Sequence, residues 1–167
     1  SFWEQLVKIL LSKELFESVF SIFSKTINNR MKNLSQFEIN ELGTANFRIS
    51  MRTMLVKDFT KYNLGAHTDN IGKLITFLFY IPSNHELKNI GTCLYKSKEK
   101  IEENQIKHFT AEETKQKFKK VKTCPFIPNS LFLFPRTKSS FHGVEEVNID
   151  QKERNLLLLN YYIHKGN

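Results

Sequence analysis

The spacing of apolar residues changes once along this chain, and that change limits the fold more than any other feature. Up to Ile27 they recur at helical intervals: Phe2, Trp3, Leu6, Val7, Leu10 and Leu11, then Leu15, Phe16, Val19, Phe20, Phe23 and Ile27. Two helices, or one bent helix, are expected within residues 1–33. Ser1 followed by Glu4 has capping-box spacing, and Ser12 reads as a second N-cap. From about residue 46 the texture becomes short runs of β-branched and aromatic residues between turn residues. Phe47, Ile49 and Met51 alternate with polar neighbours, and residues 74–81 make the strongest strand, stopping at Pro82, which has no N–H for a ladder. Residues 92–96, 118–123, 131–134 and 156–163 are further strand candidates. Helices followed by many strands, without βαβ alternation, predict a mainly β fold: an antiparallel sandwich or barrel with helices on one side. A helix so aromatic on one face needs a broad partner, and the outer face of a sheet supplies one.

At 167 residues the chain has the size of one domain, 1–167, with supporting helices at 1–33 and a β core at 46–163. The formal charge of +8 is concentrated, because nine lysines lie between Lys96 and Lys122. They are mixed with Glu99, Glu102, Glu103, Glu112 and Glu113, so the stretch reads as a solvated face before it reads as a polyanion site. Residues 98–120 are expected to hold a loop or short helix and to be the most mobile insert. Cys93 and Cys124 form no CxxC pair, which fits a reduced, cytoplasmic setting. No apolar run is long enough to span a membrane. The chain opens on Ser1 without an initiator Met, so it reads as part of a longer sequence.

His67-Thr68-Asp69 is the first chemically informative triplet, since residues i and i+2 of an extended segment project to one side and can reach one ion. A second histidine, His142, stands in Ser140-Phe141-His142-Gly143-Val144 after the strand ending at Phe134-Pro135. Two imidazoles and one carboxylate make the facial triad of non-haem Fe(II) sites. The triplet alone is weak, because His67 in a turn, with Asp69 and Asn70 as turn formers, is the better reading of it in isolation.

The surroundings of these residues carry a resemblance. Tyr62-Asn63-Leu64-Gly65-Ala66-His67-Thr68-Asp69 with Lys73 to Pro82 looks like the first metal-binding half of the 2-oxoglutarate/Fe(II)-dependent dioxygenases, in their prolyl-hydroxylase-like branch. Ser130 to Phe134 with Phe141-His142-Gly143-Val144-Glu145-Glu146-Val147 looks like the second half. Arg154, twelve residues after His142 and heading an apolar run, matches the basic residue that in the family binds the far carboxylate of 2-oxoglutarate. Tyr80 matches a strand position where such members place a tyrosine touching the same carboxylate. The resemblance implies a double-stranded β-helix, a cupin-like jelly roll, and an oxygenase using Fe(II), 2-oxoglutarate and O2, with ascorbate as a candidate accessory. It implies metal ligands His67, Asp69 and His142, and hydroxylation of a C–H bond, because related halogenases lack the carboxylate that Asp69 provides.

The alternative reading is a cupin-like metal-binding protein without turnover, from which Arg154 discriminates. The expected substrate is a small molecule or a peptidyl group, with nucleic acid ranked behind both. His85, His108 and His164 read as surface or structural. Arg136 and Lys138 are placed either at the site mouth, favouring an anionic substrate, or in a solvated loop, and Arg48 and Arg52 are treated alike.

Overall fold

A computed structural model describes residues 1–43, 47–59, 61–102, 108–148 and 153–165. Helices α1 (Phe2–Leu10), α2 (Lys13–Lys32) and α3 (Gln36–Leu42) come first. Strands β1 (Phe47–Asp58), β2 (Leu64–His67), β3 (Lys73–Tyr80) and β4 (Cys93–Ser97) follow. After helix α4 (Ala111–Lys117) come β5 (Phe118–Thr123), β6 (Ser130–Pro135), β7 (His142–Val144) and β8 (Arg154–Lys165). The strands form two four-stranded antiparallel sheets, ordered β1-β8-β3-β6 and β2-β7-β4-β5. The protein is therefore mainly β with helices at its N-terminal end.

The Ser1 side chain accepts from the Glu4 N–H while Glu4 reaches back, and the Ser12 hydroxyl starts α2 by accepting from Leu15. Each satisfies a donor that the first helical turn leaves unpaired. Helix α3 uses the same device, Ser35 with Glu38. Odd-numbered residues of β3 and β8, including Ile75, Phe77, Leu157, Leu159, Tyr161 and Ile163, pack with Leu10, Phe16, Val19, Phe20, Phe23 and Ile27 of the helices. The helices thus close the outer face of the larger sheet. Even-numbered residues of the same strands, among them Leu78, Tyr80, Leu156 and Leu158, face the other way and meet Leu94, Phe126 and Phe132 in a second core.

Within residues 98–120, expected to hold a loop or a short helix, the structure forms the short helix α4. Thr110 and Glu113 make a capping box for α4, and Phe109, Thr114 and Phe118 are buried. This segment seals the free edge of β2: Phe109 N–H donates to Ala66 O at 3.0 Å, and Ala66 N–H donates to Thr114 Oγ1 at 2.8 Å. An edge strand left open would present these groups to other chains. Residues 103–107, like residue 46 at the expected start of the β core, lie outside the described residues. Cys93 and Cys124 are free and buried. No described helix is long and apolar enough to cross a membrane.

Candidate metal centre

Strands β2 and β7 are short, and their pairing sets His67 directly opposite His142. Their ring centroids lie 4.3 Å apart. Such proximity demands a close backbone approach, which Gly143 permits, since a Cβ there would meet Leu64 O; Gly65 does the same on the other side of β2, where a Cβ would meet Phe109 O. Asp69 follows just beyond β2, with one oxygen 4.0 Å from His142 Nε2. One donor atom from each of His67, Asp69 and His142 lies within 4.8 Å of the others, and all three residues are buried. Within the described residues no other group of His, Cys, Asp or Glu meets that geometry.

Each ligand is held from behind. His67 Nδ1 donates to Gly65 O and His142 Nδ1 to Ser140 O, both at 3.0 Å, which leaves each Nε2 with its lone pair free. Burial, with His142 close by, lowers the His67 imidazole to about 4. Burial also lowers His142, against the pull of Asp69. Both rings are therefore neutral near pH 7, the form that binds metal. Asp69 is buried, which raises its carboxyl, but His142 and Lys73 and the hydrogen bonds from Lys73 and Thr76 bring it below its ordinary range. Lys73 Nζ donates to Oδ1 at 2.7 Å and Thr76 Oγ1 to Oδ2 at 2.6 Å. Thr76 reaches from the larger sheet, so one hydrogen bond ties Asp69 across both sheets.

Three residues close to this cluster carried no role in the sequence reading. The exposed His108 stacks on His67 with centroids 4.3 Å apart and planes 14° from parallel. Glu38 and Arg30 act at longer range. Glu38 is fully buried, and its Oε1 takes Arg136 Nη1 at 2.5 Å and Arg30 Nη2 at 3.5 Å. Arg30 also donates to Lys73 O at 2.7 Å and to Ile71 O, and Arg136 Nε donates to Asp69 O at 3.4 Å. The turn carrying Asp69 and Lys73 is thus pinned to α2 and α3 by two guanidinium groups on one carboxylate. Arg136 is buried in this network and does not stand at a site mouth, which corrects that expectation. Lys138 lies 3.7 Å from Glu38 Oε2 and is drawn to the same carboxylate.

Arg154 and the three metal donors line one cavity of about 130 Å³, with Asp58, Tyr62, Lys73, Thr76, Thr92 and the apolar Val56, Leu78, Leu156 and Leu158. Arg154 opens β8 and pairs in register with Asp58, the last residue of β1. Its Nη1 donates to Asp58 Oδ2 at 2.5 Å and its Nε to Ile90 O at 2.9 Å, while its guanidinium sits 5.1 Å from the Phe126 ring centroid. The full donor fork expected for an incoming carboxylate is therefore not open. Nη2 has no hydrogen-bond partner among the described residues. Tyr80 lies behind the arginine and does not line the cavity. Its hydroxyl donates to Thr92 Oγ1 at 2.8 Å and accepts Thr92 N–H at 3.1 Å, and its ring centroid is 5.9 Å from the guanidinium carbon.

The fold and site together define an antiparallel β protein with a buried His–Asp–His cluster of metal-binding geometry and a paired arginine in the same cavity. No protein-family model and no characterised protein matches the chain.

Proposed function

We propose that this chain is an Fe(II)- and 2-oxoglutarate-dependent oxygenase built on a double-stranded β-helix. The observation that carries the reading is the convergence of the His67–Asp69 pair, His142 and Arg154 on one cavity, although they come from three separate stretches of chain. Two antiparallel four-stranded sheets supply the framework that a jelly roll requires. Two neutral imidazoles and a carboxylate suit a divalent first-row metal and leave coordination positions open.

Charge bookkeeping agrees. Asp58 and Asp69 balance Lys73 and Arg154, so the cavity is formally neutral, and a divalent ion would add two positive charges that a dicarboxylate cancels. Its volume is close to the roughly 150 Å³ that accepts a benzene ring, which suits one small organic acid. When bound, the metal would supply O2 activation coupled to decarboxylation of 2-oxoglutarate to succinate and CO2, with hydroxylation of a substrate C–H bond. The protein's part is positional. Gly65 O and Ser140 O fix the imidazole tautomers, Lys73 and Thr76 orient Asp69, Arg154 Nη2 offers donors to a carboxylate, and Val56, Leu78, Leu156 and Leu158 exclude water.

One observation favours a metal-binding protein without turnover: Arg154 already holds a carboxylate, that of Asp58. A single experiment separates the two readings. Anaerobic addition of Fe(II) and then 2-oxoglutarate to an oxygenase gives a visible charge-transfer band that His142→Ala abolishes. Metal binding without that band leaves the non-oxygenase, and absence of metal binding defeats both.

A further inference from the structure

The inner face of the larger sheet continues past the metal cavity. In the β1–β8 register the even-numbered pairs run Asp58 with Arg154, Val56 with Leu156, Met54 with Leu158, Arg52 with Asn160, Ser50 with Tyr162 and Arg48 with His164. The end bearing Asp58 and Arg154 lines the cavity, and the end bearing Ser50, Arg52, Tyr162 and His164 lines a separate groove of about 590 Å³. The two meet where Gly72, on the groove, precedes Lys73, in the cavity, itself the β3 register partner of Tyr162. A cavity filled by a small acid requires its substrate to approach from outside, and this groove adjoins it on the same face.

Three features specify what the groove takes. Arg48 and Arg52 are exposed, and among the described residues neither has an acidic partner. Arg52 and Lys165 line the groove against one lining acid, Glu41, and Arg48 lies beyond it, opposite His164 in the strand register. Tyr162 and His164 present stacked rings, centroids 6.1 Å apart and planes within 28°, and Ser50 Oγ fixes the imidazole at 2.6 Å from Nε2. Cations with flat rings between them are the chemistry that grips a phosphate and stacks a base.

We propose that the groove binds a nucleotide unit of the substrate, with phosphate on Arg52 and Lys165 and base on Tyr162 and His164. The proposal rests on the oxygenase reading only in making the adjoining cavity the place of reaction.

The test uses the full chain without metal, so its outcome is independent of the Fe(II) titration. Fluorescence anisotropy follows a dye-labelled single-stranded oligodeoxynucleotide, with a poly-glutamate peptide of equal charge as comparison and adenosine monophosphate as competitor. The oligonucleotide should bind at low salt and the peptide markedly less. Arg52→Ala should reduce the slope of log affinity against log salt by about 0.7, the value for one single-strand phosphate contact. Tyr162→Ala should weaken binding by about tenfold. Lys119→Ala, on the other sheet, should change the affinity by less than Arg52→Ala. Strong competition by the mononucleotide assigns the groove to a free nucleotide and weak competition to a strand, and either supports the proposal. Equal binding of poly-glutamate, no binding, or binding unchanged in both groove variants would overturn it. Since Arg52 is exposed, its variant keeps the test interpretable if Tyr162→Ala does not fold.

Discussion

A single carboxylate, Glu38, carries more of this site's geometry than its distance from the metal ligands implies. Burial raises its carboxyl, but the Ser35 N–H and the charges of Arg136 and Arg30 outweigh that and bring the folded value below the ordinary range. A depressed folded pKa contributes stability that is present above the unfolded value, about 4.3, and lost as pH falls through the folded one. Glu38→Gln leaves two buried guanidinium groups without their anion, so a loss of about 3–5 kcal/mol is expected at pH 7. Urea midpoints measured from pH 7 down to 3 should show the gap between the native protein and Glu38→Gln narrowing below about pH 4.5. A gap that stays constant across that range would remove the ion pairs from the account. Neither Glu38 nor Arg30 stood out in the sequence, because a glutamate beginning a short helix is ordinary and nothing local shows that it is buried. The Ser35 and Glu38 capping spacing was there to be read, and it places α3 without revealing what Glu38 meets.

At the scale of the element, the pairing of β2 with β7 makes the candidate metal centre. A methyl group on Gly143 would press on the Leu64 carbonyl and force the two strands apart. Gly143→Ala should therefore cost about 1–3 kcal/mol in stability. It should also weaken Co(II) binding, measured by isothermal titration, by at least tenfold, because His67 and His142 then no longer face one point. Unchanged cobalt affinity in a destabilised variant would show that the histidines do not depend on the strand contact. Patterning reveals the long, strongly apolar β3 and β8 but not β2 and β7, whose few residues alternate over too short a span to leave a periodic signal. Helix α4 was legible only as a candidate, since Thr110 and Glu113 sit inside a charged run whose composition suits a solvated loop equally well. Its ordering comes from Phe109, Thr114 and Phe118, which find partners far away in sequence.

For the whole molecule, the N-terminal helices serve as the cover of one sheet. Without them Ile75, Phe77, Leu157, Leu159, Tyr161 and Ile163 would form a contiguous apolar face, larger than soluble proteins tolerate. Deletion of residues 1–33 should give a protein that aggregates or elutes as large oligomers in size-exclusion chromatography. A monodisperse, folded truncation would show that the helices are dispensable. The amphipathic period of these helices and the aromatic weight of their apolar face determine that they need a sheet to pack on, and both can be read directly from the residues. So can the strand content and the residue types able to ligate a metal, since periodicity and side-chain chemistry are local properties. Which donors meet, and what already occupies them, only the tertiary structure decides. Strand register sets His67 against His142 and Asp58 against Arg154, and packing of both faces fixes that register. No one stretch of chain holds the information, because each pair lies far apart in sequence and is joined by a ladder whose alignment the whole core determines.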